Sequence, residues 1–226
     1  MAELPTLGFL AGTGPLGQGL ALRLALAGYE VLIGSRSAER ADGIVEELLD
    51  GRDLPITGVS NAEAAERGEI VYLMFPWAGQ AEALPPLAGA IGDKITVSTI
   101  SPLAFGEHGP EVPELPDGSS AAEARRLLPR ARLVSGFHDV AAGKLKAVEK
   151  PVETDILICG DDAEAKAVVI GHADAIEGVR GIDAGGLQLA RELEGLTAVL
   201  VAVNKRYKVR AGVRMTGLSD ERRSMA

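Results

Sequence analysis

Gly12, Gly14 and Gly17 stand in the order G-x-G-x-x-G within Gly12-Thr13-Gly14-Pro15-Leu16-Gly17. An apolar run, residues 7–10, precedes them, and a segment with helical apolar spacing, residues 16–27, follows. Small residues at that spacing, between a strand and a helix, suit the holding of a pyrophosphate. Gly12 permits a tight turn, Gly14 lets the backbone approach the phosphates, and Gly17 lets the helix pack closely on the strand. The N–H groups and positive dipole end of the helix then face the anion. The second apolar run, residues 29–33, ends in Gly34-Ser35-Arg36, with Arg40 one helical turn on. A dinucleotide site that reads a free ribose 2′-hydroxyl places Asp or Glu there. This chain offers a hydroxyl and two guanidinium groups instead, which suit a 2′-phosphate through bidentate, charge-assisted bonds. The expected cofactor is NADP. The competing explanation makes Ser35 the cap of the following helix and the arginines ordinary surface charges.

Further along, Pro76-Trp77 follow a fourth apolar run, residues 70–74, and His138 follows a sixth, residues 132–137. Ligands of open parallel sheets bind at such strand ends. Both residues also have plain structural readings, Trp77 as helix packing and His138 as a hydrogen-bonded core histidine. His108 and His172 have no partners at metal spacing, so no metal site is expected. Asp161-Asp162 read as acids at a helix N-terminus rather than as catalytic groups. No Ser-His-Asp set or lysine relay stands at a recognisable spacing. Carbonyl reduction usually needs a positioned acid, so its absence favours a reaction between two aligned rings.

The elements that must place these residues alternate regularly. A helical stripe at Ile44, Val45, Leu48 and Leu49 places a helix over residues 38–49, and a strand follows over 55–59, with Asn61 as the N-cap of a short helix. A helix runs from Trp77 to the Pro85-Pro86 region, a strand covers 94–98, and 101–120 reads as a long loop. Ser119-Ser120 open the next helix. Later come a strand over 155–159, a helix to about 175, a strand over 180–183 and a helix over 187–203 with Leu189, Leu193, Leu196, Leu200 and Val203 on one face. The pattern predicts an α/β fold, a doubly wound parallel Rossmann sheet with a smaller C-terminal α/β domain. The expected division is residues 1–137, binding the dinucleotide, and 138–226, ending in a long helix and a basic tail.

Composition narrows the function classes. The 226 residues are 46% hydrophobic and 4% aromatic, with a net charge of −9. An acidic chain poor in aromatic residues is not expected to bind nucleic acid. No run is long enough for a membrane span, no secretory signal is read, and the single cysteine, Cys159, fits a reducing cytoplasm. Residues 204–226 hold seven basic residues, Lys205, Arg206, Lys208, Arg210, Arg214, Arg222 and Arg223, against Asp220 and Glu221. Such a tail is either a solvated terminus or a docking surface for an anionic ligand.

Taken together, GTGPLG, GSR with a basic residue four on, FPW, VSGFH, CGDD and IDAGGLQLARELEGLT resemble the NADPH-dependent reductases of the deazaflavin coenzyme F420, in order and spacing, to about Asn204. The resemblance implies hydride exchange between the nicotinamide C4 and the deazaflavin C5, with no protein catalytic group. It places the phosphate loop on Gly12, Thr13, Gly14, Pro15, Leu16 and Gly17 and the 2′-phosphate pocket on Ser35, Arg36 and Arg40. The segment beside ribose and nicotinamide falls on Pro76 and Trp77, the histidine near the deazaflavin on His138, and an alanine pair on Ala141-Ala142. The chain departs from the family in having Asp139-Val140 after the histidine. The coenzyme is anionic, so Lys205, Arg206, Lys208 and Arg210 are expected to hold its tail. Two further readings are an NADP-dependent flavin reductase or compact hydroxyacid-type dehydrogenase, with Lys144 or Lys146 supplying a proton, and a non-enzymatic NADP-binding redox sensor. The apolar helix ending at 203 leads us to expect a homodimer.

Overall fold

A computed structural model describes residues 4–219. Asp220, Glu221, Arg222 and Arg223 of the tail lie outside the described residues. In chain order the elements begin β1 (Leu7–Leu10), α1 (Pro15–Leu26), β2 (Val31–Ser35), α2 (Ala38–Leu49), β3 (Ile56–Ser60), α3 (Asn61–Arg67) and β4 (Ile70–Leu73). There follow α4 (Gln80–Ala83), α5 (Ala88–Ile91), β5 (Ile95–Ser98), β6 (Ala104–Gly106), β7 (Gly109–Glu111), α6 (Ser120–Leu127) and β8 (Arg132–Ser135). The last are α7 (Ala142–Lys146), β9 (Thr154–Gly160), α8 (Ala163–Asp174), β10 (Val179–Asp183) and α9 (Ala190–Tyr207).

Eight strands form one sheet in the order β10-β9-β8-β5-β4-β1-β2-β3. From β3 to β8 every pairing is parallel, and the order reverses between β1 and β4, the doubly wound arrangement that the alternating elements predict. Past β8 the direction changes: β9 runs antiparallel to it, pairing only Cys159 and Gly160 with Ser135 and Val134, and β10 runs parallel to β9. The sheet therefore continues through residue 137, and its reversal in direction falls beside that point.

Period-2 alternation splits the core across the sheet. Leu7, Phe9, Val31, Ile33 and Tyr72 face Leu20 and Leu24 of α1, Val45 of α2 and Val169 of α8. Leu10, Leu32, Val71 and Leu73 face Ala64 of α3, Ile91 of α5, Ala124 of α6 and Ala190 of α9.

Three expectations change. Ser60, not Asn61, caps α3, its hydroxyl accepting from the Glu63 N–H at 3.1 Å. Residues 101–120 include a two-stranded hairpin, β6-β7, whose Phe105 is 73% exposed. The face that α9 buries is Ala190, Glu194 and Ala198, while Leu193, Leu196, Leu200 and Val203 are half-buried, and Leu189, in the turn before the helix, and Val199 are exposed. Glu194 goes inside because its carboxylate accepts from the N–H groups of Ser120 and Ala121, both at 2.9 Å, satisfying orphan donors at the start of α6. Burial pushes its carboxyl up to about 7 despite those bonds.

Candidate functional site

The phosphate loop leaves β1 through Ala11, which takes the left-handed conformation, φ 57°. The turn therefore uses an alanine for that backbone shape, and Gly12 is needed for space: a Cβ there would lie 2.7 Å from the Phe9 Cβ. The strained turn is tied down by Asn61, whose Oδ1 accepts from the Ala11 N–H at 2.8 Å. A Cβ on Gly14 would meet nothing within 4 Å, which leaves the backbone open to a ligand, whereas one on Gly17 would lie 2.2 Å from the Gly12 carbonyl oxygen. α1 begins at Pro15 after the N-cap Gly14, with no side-chain cap and no acid in its first turn. Its dipole and free N–H groups are thus available to an anion.

The end of β2 separates the two explanations of Gly34-Ser35-Arg36. Ser37 caps α2, accepting from the Arg40 N–H at 3.2 Å, so Ser35 is not the cap. Ser35 is buried at the strand end, and Arg36 and Arg40 are exposed. Among the described residues neither guanidinium forms an ion pair.

Between the carboxyl ends of β1, β4 and β5 lies a cleft of about 280 Å³. Gly14 to Gly17 form one wall, Met74 to Trp77 a second, and Thr99 to Ser101 a third. Trp77 is half-buried in it and Pro76 exposed. None of its lining side chains is ionisable.

Behind the third wall sits His138. Its Nδ1 is 3.3 Å from the Ser101 Oγ, and its Nε2 is 2.9 Å from the Ser135 Oγ. The Thr197 hydroxyl of α9 donates to the His138 carbonyl at 3.1 Å and lies 2.8 Å from the Ser101 Oγ. His138 is 7% exposed, and burial pushes its imidazole down to about 4, against a hydrogen bond that the ring donates to the Thr99 backbone. It is neutral at physiological pH and reaches the cleft through the Ser101 hydroxyl. The preceding Phe137 is fully buried with φ 65°, a strained backbone for a bulky residue, and packs edge-on against Tyr72 with ring centres 5.9 Å apart. Asp139 turns away toward the sheet, accepting from the Leu157 N–H at 3.2 Å where β8 has left the edge of β9. Cys159 is buried, and burial, with the Glu194 charge, pushes its thiol up to about 12, which makes it a poor nucleophile. Among the described residues no cluster of three or more His, Cys, Asp and Glu could hold a metal, and no helix is long and apolar enough to cross a membrane.

Comparison with known proteins decides the family. Residues 6–102 match the family model described as NADP oxidoreductase, coenzyme F420-dependent. The chain is 39% identical over 219 residues to the F420-dependent NADP reductase of Methanothermobacter marburgensis, covering 93% of this chain and 98% of that protein. The chain belongs to the F420-dependent NADP reductase family. The Methanocaldococcus jannaschii F420-dependent NADP reductase is 38% identical over 92% of this chain and 97% of its own length. A crystal structure from Arthrobacter sp. fb24, assigned as an F420-dependent NADP reductase, superposes with a TM-score of 0.81 at 24% identity, covering 94% of this chain and 100% of that one, which supports the fold.

The basic residues after Asn204 fall into different surroundings. Lys205 and Arg206 end α9, and Lys208 follows in a left-handed conformation, φ 54°, all three exposed. Lys205 lies about 12 Å along the helix axis from Thr197. Arg210 reaches α7, donating to the Gly143 carbonyl at 3.0 Å beside Ala142. Arg214 is consumed by the fully buried Asp155, which it shares with Arg180 at 2.7 Å each. Lys146 donates to Gln18 Oε1 of α1 at 2.6 Å, so its ammonium is engaged at the protein surface. Sequence reasoning passed over Ser101, Thr197 and the brace at Asn61. A hydroxyl or amide signals its role only through a partner, and Asn61 is 50 residues from Ala11.

Proposed function

We propose that the chain exchanges hydride between NADP(H) and coenzyme F420 within the cleft between the phosphate loop and Ser101. When bound, the two coenzymes would supply the chemistry themselves, a hydride passing from the nicotinamide C4 to the deazaflavin C5 while the deazaflavin N1 takes a proton from solvent, or the reverse. The chain's residues bind and orient. The N-terminus of α1 holds the pyrophosphate across Gly12 to Gly17. Ser35, Arg36 and Arg40 hold the 2′-phosphate, and Pro76, Trp77 and Ala142 border the ribose and nicotinamide. His138, through Ser101, borders the deazaflavin, while Lys205, Arg206, Lys208 and Arg210 draw in its anionic tail. On this reading residues 1–137 form the dinucleotide half and 138–226 the half that meets the second ring.

One observation carries the proposal: the cleft walls hold no ionisable side chain, and the histidine behind them is kept neutral. A site for carbonyl reduction requires a positioned acid, whereas ring-to-ring transfer requires alignment. The half-buried stripe of α9 with its exposed Val199 supports a homodimer through that helix. NADPH-linked bleaching of the deazaflavin absorbance tests the function. Turnover with riboflavin cofactors or small oxo acids, and none with the deazaflavin, would contradict it.

A further inference from the structure

Arg23 lies in the third turn of α1, is 5% exposed, and forms no ion pair among the described residues, the Glu177 and Glu149 carboxylates acting on it only through space. A buried guanidinium is normally paired with an acid. Here its partners are carbonyl oxygens from one short stretch. Nε donates to Leu145 at 2.9 Å, Nη1 to Val148 at 3.4 Å, and Nη2 to Lys144, Ala147 and Lys150 at 3.2, 2.8 and 2.7 Å. Those oxygens belong to the C-terminal end of α7 and the turn after it. α7 has five residues, too few to persist unaided, and its last carbonyls lack helical partners. The cap that α7 lacks in its own sequence is supplied by another helix, with the positive charge at the negative end of its dipole.

Two more contacts bind the same pair of helices. A Cβ on Gly19 would lie 2.6 Å from the Leu145 Cβ and 3.2 Å from the Ala142 oxygen, so α1 and α7 touch almost backbone to backbone. Gln18 Nε2 donates to the Thr13 carbonyl at 2.6 Å while its Oε1 accepts from Lys146 at 2.6 Å, a bridge from the phosphate loop to α7. One rigid helix thus carries the phosphate loop at its head and grips α7 along its side. Arg23 sits nine residues beyond Gly14, about 14 Å along the axis. Only three residues separate α7 from His138, which meets the cleft wall at Ser101.

We propose that Arg23 is a positioning residue for hydride transfer: by gripping the carbonyls of residues 144–150 it fixes α7, and through it residues 138–142, at a set distance from the phosphate loop on the same helix. The inference rests on the functional reading above, since the distance it sets is that between the two bound rings. Transfer between rings depends steeply on that distance, and a displacement of about 1 Å can cost about a hundredfold in rate.

The test uses Arg23→Lys, which keeps a cation but reaches fewer carbonyls, and Gln18→Leu, which cuts the partly exposed bridge without changing charge. Single-turnover hydride transfer at saturating NADPH and deazaflavin is measured below the melting range of each protein, alongside the NADPH dissociation constant. Arg23→Lys should slow the transfer step about tenfold, with NADPH affinity within about twofold of the parent, and Gln18→Leu should slow it a few-fold. An unchanged transfer rate in folded Arg23→Lys, with only its melting temperature lowered, would make Arg23 a stabilising residue and overturn the proposal. If Arg23→Lys does not fold, an unchanged rate in Gln18→Leu overturns it equally. Hydrogen exchange without coenzymes reads the brace independently of the reaction. Residues 138–150 should exchange faster in either variant and β2 should not, and unaltered exchange at 138–150 overturns the proposal. Failure of the parent enzyme to reduce the deazaflavin would instead refute the functional reading, and the exchange experiment would still judge the brace.

Discussion

The carboxyl end of β2 and the opening of β9 each gather two arginines, with opposite outcomes. At β9, Arg180 and Arg214 close on Asp155, which has no exposure and also accepts from the Met215 N–H at 2.7 Å. Burial alone would raise that carboxyl, but the two guanidinium groups and the backbone N–H outweigh it and hold it down at about 2. At β2, Arg36 and Arg40 stand exposed with no acid partner among the described residues, beside a serine that the helix cap does not use. The first pair is spent on folding and the second is free for a ligand. A count of charges cannot tell them apart, because the difference lies in which acid lies within reach.

The largest effect should come from the spent pair. Asp155→Ala would strand two guanidinium groups and release residues 213–215 from β9, and should cost about 3–5 kcal/mol in urea unfolding. A loss below about 1 kcal/mol would mean that the cluster is no more than a surface contact. Next comes the free pair. Arg36→Ala should lose one charge-assisted phosphate contact of about 1.5–3 kcal/mol, and with it roughly one to two orders of magnitude of the preference for NADPH over NADH, read by titration with each. Equal affinity of the parent enzyme for both dinucleotides would break the comparison.

The contrast extends to a neutral group. His172 lies 2.7 Å from the Tyr72 hydroxyl through Nδ1, and burial pushes its imidazole down to about 4. Because the unfolded chain holds that proton more tightly, its contribution is complete above about pH 6.5 and is lost as pH falls toward 4. The stability advantage of the parent over His172→Phe should therefore shrink by about 2 kcal/mol between pH 7 and 4.5. A constant gap across that range would mean that the histidine titrates normally in the fold.

The smallest effects belong to the tail. Replacing Lys205, Arg206, Lys208 and Arg210 with Gln should raise KM for the deazaflavin and flatten its salt dependence, with NADPH nearly unaffected, since each exposed contact contributes no more than about 1 kcal/mol. An unaltered KM and salt slope would make those four residues solvated surface.

These contrasts also explain what could be read before the fold was known. The glycine turn between β1 and α1 and the alternation that winds a parallel sheet are legible because each is written in a few neighbouring residues, with periodicity carrying the rest. The cap of α3 falls on Ser60 rather than Asn61, since two adjacent cap-forming residues differ only in which one the backbone aims at Glu63. The leucines of α9 mark one face, whereas Glu194 is buried on another because two N–H groups at the start of α6, more than 70 residues earlier in the chain, are left over by the Ser119 cap. Arg23 gave no signal at all, because its partners are backbone carbonyls more than 120 residues away, and any sequence supplies those.

The central claim is that the cleft aligns two rings so that the hydride passes directly from one to the other. NADPH carrying deuterium on the transferred face of C4 tests it most directly, with the reduced deazaflavin analysed by mass spectrometry after turnover in ordinary water. The account predicts one deuterium retained on C5 of the product, with no wash-out. Hydrogen from solvent at that position would contradict it and require a proton-transferring group that the cleft walls do not contain.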